Sequence, residues 1–327
     1  MRLAFIGLGP LGRRLARDAA SRRLGTIAAA VDVDPALQGQ PLRTHVPEVE
    51  SDARISSELD QDVDVAVVAT LSQLERCAPT FRALLERGLT VVSTCEELSW
   101  PRLKHPQLAD ELDALARQHS GRLLGTGINP GFLMDTFPAI ASTVCGEVRG
   151  VTVTRVQDAG ARRIPFQRKV GATLDQQTFR ARIDAGELGH VGLPESLHFL
   201  AHALGVTLES YSDVIEPVLA EDELGTDIGE IPSGGVRGLH QVAEGAGSDG
   251  TTLRLVFRAA IGEPESYDRV QIDGSPPVDL VWKGGVHGDV ATSAVLLNSI
   301  RPLRAAAPGL HTMASIPLAS FTRSAAR

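Results

Sequence analysis

The first half of the sequence alternates continuous apolar runs with stretches in which apolar residues recur every three or four positions. Continuous runs are typical of strands buried on both faces, and the three-to-four spacing is typical of amphipathic helices. The runs are LAFI (3–6), TIAAAVDVDP (26–35), DVDVAVVAT (62–70), GLTVVSTCEE (88–97) and RLLGTGINPG (122–131). Strands that alternate with helices predict an α/β fold, with a doubly wound parallel Rossmann sheet in a dinucleotide-binding domain over residues 1–146.

The pattern changes after about residue 147, where strands with alternating apolar and polar residues follow one another with few helices between them. The segments are VRGVTVTRV, VTLESYSDVIEPV, TTLRLVFRAAIG, YDRVQIDG and VDLVWKG, and the main helical stretch is LPESLHFLAHALG. This alternation favours a second α+β domain with a mainly antiparallel sheet, over residues 147–288. A C-terminal segment, residues 289–327, is expected to begin with a helix that returns to the first domain.

Three glycines follow the first apolar run in the pattern G-x-G-x-x-G, and a helical stretch begins directly after them. Gly7 permits a tight turn, Gly9 lets a pyrophosphate approach the backbone, and Gly12 lets the helix pack closely on the strand. Pro10 and Leu11 stand between them and are expected to lie in the same phosphate-binding loop. Because a helix N-terminus carries unpaired amides, this stretch predicts a dinucleotide site.

Asp32 ends the second apolar run, twenty residues beyond Gly12. A carboxylate at this position accepts hydrogen bonds from the adenosine ribose of a dinucleotide, and its charge repels a 2′-phosphate. We therefore predict NAD as the cofactor, with NADP as the alternative. Ligands of such sheets bind beyond the carboxyl ends of the strands. The further cofactor contacts expected there are Thr70, Leu71, Cys95 and Asn129.

Composition excludes several classes of partner. Of 327 residues, 32 are Lys or Arg and 40 are Asp or Glu, and no basic cluster is interleaved with aromatics, so nucleic acid is not an expected partner. No uncharged apolar run approaches the roughly 18 residues of a membrane span, so no membrane partner is expected. Neither the three cysteines nor the histidines show metal-ligand spacing, and we expect a soluble, cytoplasmic protein without a metal site.

Five ordered segments resemble the family of 2,4-diaminopentanoate dehydrogenase and the native amine dehydrogenases. They are VVSTCEELSWP, GTGINPGFLMD, RRIPFQRKVGA, GHVGLPES and GDVATSAVLLNSI with PGLHTM, and they span almost the whole chain. The family belongs to a wider group whose cofactor domain resembles that of dihydrodipicolinate reductase. The resemblance implies NAD(P)-dependent oxidative deamination of an amine to a carbonyl and ammonia, or the reverse reductive amination. It also implies that the second domain binds substrate and that the protein is a homodimer.

Amine oxidation by hydride removal requires the neutral amine, and water must then attack the iminium, so one general base takes protons twice. A carboxylate suits this task because it also stabilises the cationic iminium. Glu96 and Glu97 end the fourth apolar run, and the resemblance implies that the catalytic glutamate lies in this segment. Adjacent residues of an extended chain point in opposite directions, so only one should face the substrate. The resemblance favours Glu96, and Glu97 stays open as the alternative.

The substrate pocket is expected to combine apolar walls with a few polar groups. The residues expected to line it are Phe132, Phe137, Arg163, Ile164 and Thr292. Arg163 belongs to a basic tract, residues 162–169, which meets a substrate carboxylate, a cofactor phosphate or only solvent. The chain has only two tyrosines, which favours an amine or carbonyl that is smaller or more apolar than a diamino acid.

Two other functions compete with an amine dehydrogenase. The first is a cyclic-imine reductase similar to dihydrodipicolinate reductase, which would require a lysine-containing, histidine-rich segment that this sequence lacks. The second is a non-catalytic dinucleotide-binding sensor, which would bind the cofactor without turnover. The adjacent carboxylates of Glu96 and Glu97 argue against a sensor.

Overall fold

The fold is described here from a computed structural model, which covers residues 1–322. The strands, in chain order, are β1 (Arg2–Ile6), β2 (Thr26–Val31), β3 (Ile55–Ser56), β4 (Val65–Val68), β5 (Thr90–Ser93), β6 (Arg122–Gly125), β7 (Glu147–Asp158), β8 (Leu208–Leu219), β9 (Leu224–Thr226), β10 (Gly229–Ile231), β11 (Val236–Gly247), β12 (Thr252–Ala260), β13 (Tyr267–Ser275), β14 (Val278–Lys283) and β15 (Gly309–His311). The α-helices are α1 (Pro10–Ser21), α2 (Leu74–Glu86), α3 (Pro106–Gln118), α4 (Thr136–Ala141), α5 (Ile164–Lys169), α6 (Gln176–Asp184), α7 (Leu193–Leu204) and α8 (Gly288–Ala305).

The chain divides into two compact units. The first comprises Met1–Leu133 and the segment that begins at His287, and the second comprises Met134–Val286. The ranges drawn from the sequence, 1–146, 147–288 and 289–327, stay a prediction, because compactness alone does not define a part that folds independently.

The first unit is built on a seven-stranded sheet in the order β15-β6-β5-β4-β1-β2-β3, in which every neighbouring pair is parallel. All four residues of β4 and of β5 are buried, as expected of strands covered on both faces. The strand order reverses beside β1, which is the arrangement of a doubly wound sheet. The predicted parallel Rossmann sheet is confirmed.

The C-terminal helix α8 belongs to the first unit and packs on α1. Ser293 Oγ donates a hydrogen bond of 2.7 Å to Asp18 on α1, and Leu296 and Leu297 enter the core beneath it. After the helix, β15 adds to the sheet beside β6. The segment after α8 therefore adds the edge strand β15 to the sheet that also contains β1.

The second unit is built on a six-stranded sheet in the order β14-β13-β7-β12-β11-β8. Of its neighbouring pairs, only β7 and β12 are parallel, so the sheet is mixed but mainly antiparallel, as predicted. The helix α7 packs across β8, β11 and β12 on one face. Alternate residues of β11 and β12 are buried and those between them are more exposed, whereas β8, at the sheet edge, is exposed along most of its length.

Among the described residues, the structure has no helix that is both long enough and apolar enough to span a bilayer.

Candidate active site

Two glycines of the loop are required by close contacts with the backbone, and the third borders open space. Gly7 has a φ of +87°, and a Cβ there would lie 2.5 Å from the Ala69 carbonyl oxygen. A Cβ on Gly12 would lie 1.8 Å from the Gly7 oxygen, whereas one on Gly9 would meet no atom within 4 Å. Packing thus requires glycine at positions 7 and 12, and the gap beside Gly9 is the cradle that a phosphate group needs.

Helix α1 begins directly above this cradle. Gly9 is its N-cap residue and offers no side-chain cap, and Pro10 occupies the first turn. The amides of the first turn have no partner within a helix, and the helix dipole places partial positive charge at this end. The loop from Gly7 to Gly12 therefore has the geometry of an anion site, with Leu11 at its helical end.

Asp32 lies beside the glycine loop, where its carboxylate has two backbone partners. Its Oδ2 accepts a hydrogen bond of 2.6 Å from the Leu8 amide, and its Oδ1 accepts one of 2.9 Å from the Asp34 amide. Each carboxylate oxygen can accept a second hydrogen bond, and Asp32 is only half-buried. Asp32 thus holds the loop in place and retains acceptor capacity for a ribose.

The carboxyl ends of β1, β4, β5 and β6 lie side by side. The Ala69 amide donates to Ile6 O at 2.8 Å, the Thr94 amide donates to Val68 O at 3.0 Å, and the Thr126 amide donates to Ser93 O at 2.9 Å. These bonds continue the sheet one residue past each strand. The structure therefore gathers the glycine loop, Thr70 with Leu71, Cys95 and the loop containing Asn129 along one edge of the first unit, which we call the carboxyl edge.

Glu97 is buried, with 9% of its surface exposed, and its carboxylate is engaged by neighbouring groups. Its Oε2 accepts a hydrogen bond of 2.8 Å from the Leu74 amide at the start of α2 and lies 3.1 Å from His105 Nε2. Its Oε1 lies 3.4 Å from Lys104 Nζ. This carboxylate ties α2 to the segment before α3, which is a structural task.

Glu96 is half-buried at the carboxyl edge, directly after Cys95. Glu96 and Glu97 do not stand in extended chain, as the sequence suggested, because they open a short 3₁₀ helix, Glu96–Ser99. Successive side chains of a 3₁₀ helix are about 120° apart, so the two glutamates still point in different directions. The two glutamates therefore have different surroundings: Glu97 is buried, whereas Glu96 lies half-buried at the carboxyl edge.

Thr292 and the loop after β6 meet within the first unit. Thr292 Oγ1 accepts a hydrogen bond of 3.3 Å from the Ile128 amide, and a Cβ on Gly127 would lie 3.4 Å from the Thr292 methyl group. The loop also carries Asn129 and Phe132, both half-buried. The start of α8 therefore supports the loop that holds these predicted site residues.

The other predicted pocket residues lie in the second unit. Phe137 forms an edge-to-face contact with Trp282, with ring centroids 6.1 Å apart. Arg163 is the N-cap residue of α5 and is exposed, and Ile164, which begins the helix, is 42% exposed. The side chain of Arg162 stacks its guanidinium 4.4 Å from the centre of the Phe166 ring. The basic tract therefore begins before α5 and ends with Arg168 and Lys169 in its last turn.

A buried polar network in the second unit was not predicted from the sequence. Arg155 and Asp268 are each only 2–3% exposed and form an ion pair of 2.9 Å. Arg155 also donates to the Val286 carbonyl at 2.8 Å, and the Val286 amide donates to Asp268 at 2.6 Å. Gln157 joins through the same carbonyl at 3.0 Å and accepts from Arg162 at 2.8 Å. Burial raises the pKa of Asp268 and lowers the pKa of Arg155.

His190 is a second residue that sequence reasoning missed. Its Nε2 is buried and has no hydrogen-bond partner within residues 1–322, while its ring lies 4.8 Å from that of Phe257. Its backbone amide donates to Gln241 at 2.8 Å. Burial, followed by the charges of Lys169 and Arg155, holds the pKa of His190 well below its usual range. Its place in the GHVGLPES segment was the one signal that could have singled it out.

Across residues 1–322, no group of three or more His, Cys, Asp or Glu side chains comes together in a way that could hold a metal ion.

The parallel sheet, the glycine loop before α1 and the acid at the end of β2 define the first unit as a dinucleotide-binding domain of the Rossmann class. The sequence profile of the family described as 2,4-diaminopentanoate dehydrogenase C-terminal domain matches residues 132–327, more than half of the chain. The protein belongs to this family, and the resemblance seen in its sequence motifs is confirmed.

Individual relatives extend the similarity beyond the matched region. The 2,4-diaminopentanoate dehydrogenase of Acetoanaerobium sticklandii is 29% identical over 266 residues, which cover 79% of this chain and 75% of that protein. The solved amine dehydrogenase from Mycobacterium smegmatis is 21% identical, with a TM-score of 0.87 over 98% of this chain and 97% of that one. The WlbA dehydrogenase from Bordetella pertussis, solved with NADH and UDP-GlcNAcA, is 18% identical, with a TM-score of 0.52 over 93% and 88% of the chains.

Proposed function

We propose that this protein is an NAD(P)-dependent amine dehydrogenase, which oxidises an amine to a carbonyl and ammonia or runs the reverse reductive amination. Family membership and the relatives named as diaminopentanoate and amine dehydrogenases support this activity. The observation that carries it is the half-buried carboxylate of Glu96 at the same edge of the sheet as the glycine loop. A dehydrogenase of amines needs both groups, a base and a dinucleotide site.

In this proposal Glu96 is the general base. A carboxylate can remove a proton from the ammonium form of the substrate and release that proton to solvent. Ionised again, it stabilises the iminium and then accepts a proton from the attacking water. Glu97 cannot serve as readily, because its oxygens are bound to the Leu74 amide and to His105. In the reverse direction, the same carboxylate stabilises the protonated imine that hydride then reduces.

The cofactor is a nicotinamide dinucleotide, which accepts or supplies the hydride when bound. In this proposal the loop from Gly7 to Gly12 holds its pyrophosphate and Asp32 holds its adenosine ribose. The residues that contact its nicotinamide half are Thr70, Leu71, Cys95 and Asn129. We propose NAD as the preferred form, because the Asp32 carboxylate repels the 2′-phosphate of NADP.

The substrate is proposed to be a small, largely apolar amine or the matching ketone or aldehyde. Phe132 and Thr292, both in the first unit, are proposed to contribute to its pocket. Phe137, Arg163 and Ile164 stay candidates predicted from the sequence. The scarcity of tyrosine, with two in the whole chain, disfavours a pocket rich in hydroxyl groups. The protein is proposed to act in the cytoplasm, where its three cysteines stay reduced.

We further propose a homodimer formed through the more exposed face of the second unit's sheet. Val214, Val242 and Val256 are directly paired across β8, β11 and β12, and Val214 is 52% exposed. A second copy presents the same row of valines, as a two-fold interface requires. Light scattering should give a dimeric mass for the wild type and a monomeric mass for Val242→Glu. A monomeric wild type would contradict the proposal.

The proposed activity is tested by following NADH oxidation with high ammonia and a panel of small ketones, aldehydes and the keto form of diaminopentanoate. We expect oxidation that depends on both ammonia and carbonyl, and ammonia-free reactions are the control. If no member of the panel is reduced while fluorescence reports bound NADH, a cyclic-imine reductase or a non-catalytic sensor becomes the better function.

A further inference from the structure

A cavity of about 360 Å³ opens beside helix α1 in the first unit, and we call it the α1 cavity. It is lined by Pro10, Arg13, Arg14 and Arg17 from the helix, by residues 45–48 from the segment between β2 and β3, and by Asp289 from the start of α8. Its three arginines outnumber its two carboxylates, Glu48 and Asp289, and the helix dipole adds partial positive charge at the Pro10 end. The α1 cavity therefore favours an anionic ligand.

In the part of the chain that the structure describes, the terminal nitrogens of these three arginines have no hydrogen-bond partner, because each side chain makes its contacts through Nε. Arg13 Nε donates a hydrogen bond of 2.7 Å to the Leu8 carbonyl. Arg14 Nε lies 3.4 Å and Arg17 Nε lies 3.3 Å from the carboxylate of Asp18. Arginine binds phosphate groups through parallel N–H bonds, so each guanidinium retains the donors that a phosphate ligand requires.

Arg13 lies close to the acid that is expected to face the adenosine ribose. Leu8 stands between the first two glycines of the loop, and its carbonyl accepts from Arg13 while its amide donates to Asp32 at 2.6 Å. In dinucleotide-binding domains, an arginine near this acid accommodates the 2′-phosphate of NADP. Pro10 begins α1 directly after the glycine loop and also lines the α1 cavity. The α1 cavity is therefore contiguous with the proposed dinucleotide site.

We propose that the α1 cavity receives the 2′-phosphate of NADP and that Arg13 is its main ligand. This inference rests on the proposed dinucleotide site. Asp32 then sets the preference for NAD, and Arg13 decides how much affinity for NADP the protein retains. The Asp32 carboxylate accepts hydrogen bonds from the amides of Leu8 and Asp34, which offset part of its repulsion of a phosphate. We therefore expect the protein to bind both dinucleotides, and NAD more tightly.

The arginines of the α1 cavity should contribute unequally. The Leu8 carbonyl holds Arg13 at the glycine loop. Arg17 lies four residues further along α1, a rise of about 6 Å, and shares the Asp18 carboxylate with Arg14. Substitution of Arg13 should therefore weaken the binding of a 2′-phosphate more than substitution of Arg17.

The first experiment uses two ligands that differ only in the 2′-phosphate, 5′-AMP and 2′,5′-ADP. Calorimetry gives their dissociation constants for the wild type, for Arg13→Gln, whose amide can still donate to the Leu8 carbonyl, and for Arg17→Gln. We expect Arg13→Gln to weaken 2′,5′-ADP at least tenfold, the loss of one charge-assisted contact, and to change 5′-AMP less than threefold. Arg17→Gln should weaken 2′,5′-ADP about threefold.

Arg43→Gln is the matched control. Arg43 belongs to the same segment between β2 and β3, pairs with Asp52 at 3.2 Å on the surface and does not line the α1 cavity. Its substitution removes the same charge and should leave the ratio of the two dissociation constants unchanged. An unchanged ratio in Arg13→Gln would overturn the proposal. Equal changes in Arg13→Gln and Arg43→Gln would also overturn it, because they would indicate an effect of net charge alone.

The second experiment compares NADH and NADPH binding by fluorescence in Asp32→Ala and in the double variant Asp32→Ala with Arg13→Gln. The single variant should shift the ratio of dissociation constants toward NADPH by about tenfold. The double variant should lose most of that gain, because the main phosphate ligand is absent. A full gain in the double variant would overturn the proposal.

Both experiments measure binding and need no turnover. A protein that binds these nucleotides as expected but oxidises no amine would contradict the proposed activity and leave this inference standing. Binding of 5′-AMP with no effect of Arg13→Gln on the ratio would contradict this inference alone. A wild type that binds neither 5′-AMP nor NADH would contradict the proposed dinucleotide site, and this inference with it.

Discussion

The carboxyl edge of the first unit and the buried polar network of the second unit are built in different ways. The glycine loop spans only six residues, and its geometry depends on backbone contacts at the ends of neighbouring strands. The network instead joins Arg155 to Asp268, which are 113 residues apart, through side chains. Backbone geometry of this kind leaves a local motif in the sequence, whereas a side-chain network leaves none.

The carboxyl edge and the buried polar network also differ in the burial and the partners of their charged side chains. At the carboxyl edge, Asp32 is half-buried and binds backbone amides, which suits an acceptor for a ligand. In the second unit, Arg155 and Asp268 are withdrawn from water and neutralise each other. Substitutions at the edge should therefore change catalysis or ligand choice, and substitutions in the network should change stability.

The largest expected effect is on turnover at the edge. Glu96→Gln should lower kcat by roughly 10²–10⁴-fold, the usual contribution of a general base, with NADH affinity unchanged. Glu97→Gln is the matched control, since it removes the neighbouring carboxylate and should retain turnover within about tenfold while costing ~1–3 kcal/mol of unfolding free energy. Steady-state kinetics, NADH fluorescence and urea unfolding measure the three quantities. Loss of turnover in Glu97→Gln with normal Glu96→Gln would reverse the assignment.

The next effect is on stability in the network. Arg155→Met leaves Asp268 buried without its partner and should lower the unfolding free energy by ~3–5 kcal/mol. The double variant Arg155→Met with Asp268→Leu should recover a large part of that loss, because no buried charge remains.

Urea unfolding of the two variants provides the measurement. The control is Arg269→Ala, which breaks the exposed pair with Asp279 and should change stability little. A double variant no more stable than Arg155→Met would show that packing, rather than charge burial, governs this region.

A smaller effect is expected on cofactor choice. The wild type should bind NAD more tightly than NADP, and Asp32→Ala should shift the ratio of the two dissociation constants toward NADP by about tenfold, on the order of 1.4 kcal/mol. The ratio is the readout because Asp32 also holds the Leu8 amide, so both cofactors should weaken. Asp34→Ala, two residues along at an exposed position, should keep the wild-type ratio. A wild type that prefers NADP would contradict the role of Asp32.

The smallest expected effect is on the pH dependence of the unfolding free energy, through His190 in the second unit. The folded state holds His190 neutral, whereas the unfolded chain protonates it near its ordinary pKa of 6.5. Below about pH 6.5 the unfolded state therefore binds the extra proton, and stability falls by up to ~1.4 kcal/mol per pH unit. His198 and His240 also have lowered pKa values, so the comparison between variants is decisive.

Urea unfolding at pH 7.5 and 5.5 should show a smaller loss for His190→Gln than for the wild type. The exposed His202 provides the control, and His202→Gln should keep the wild-type loss. Equal losses in all three proteins would mean that His190 takes up its proton in the folded state.

Much of the first unit could be predicted from local pattern. Continuous apolar runs identify strands covered on both faces, and the glycine spacing identifies the loop before α1, because both follow from contacts with near neighbours in the sequence. The second sheet was also predicted, but its single parallel pair was not, since strand pairing depends on connections that alternation does not reveal. The short helices α4, α5 and α6 lack a long apolar period and were missed for that reason.

The amino-acid sequence was enough to predict the family and the parallel sheet, and it named Glu96 and Glu97 as candidates for the base. The resemblance already favoured Glu96, but only the tertiary structure showed the different surroundings of the two glutamates, because the fold brings the Leu74 amide and His105 to the Glu97 carboxylate. The sequence shows which residue types are available for a given chemistry. Burial and neighbours that are distant in sequence decide how such a residue behaves, and these arise only when the chain folds.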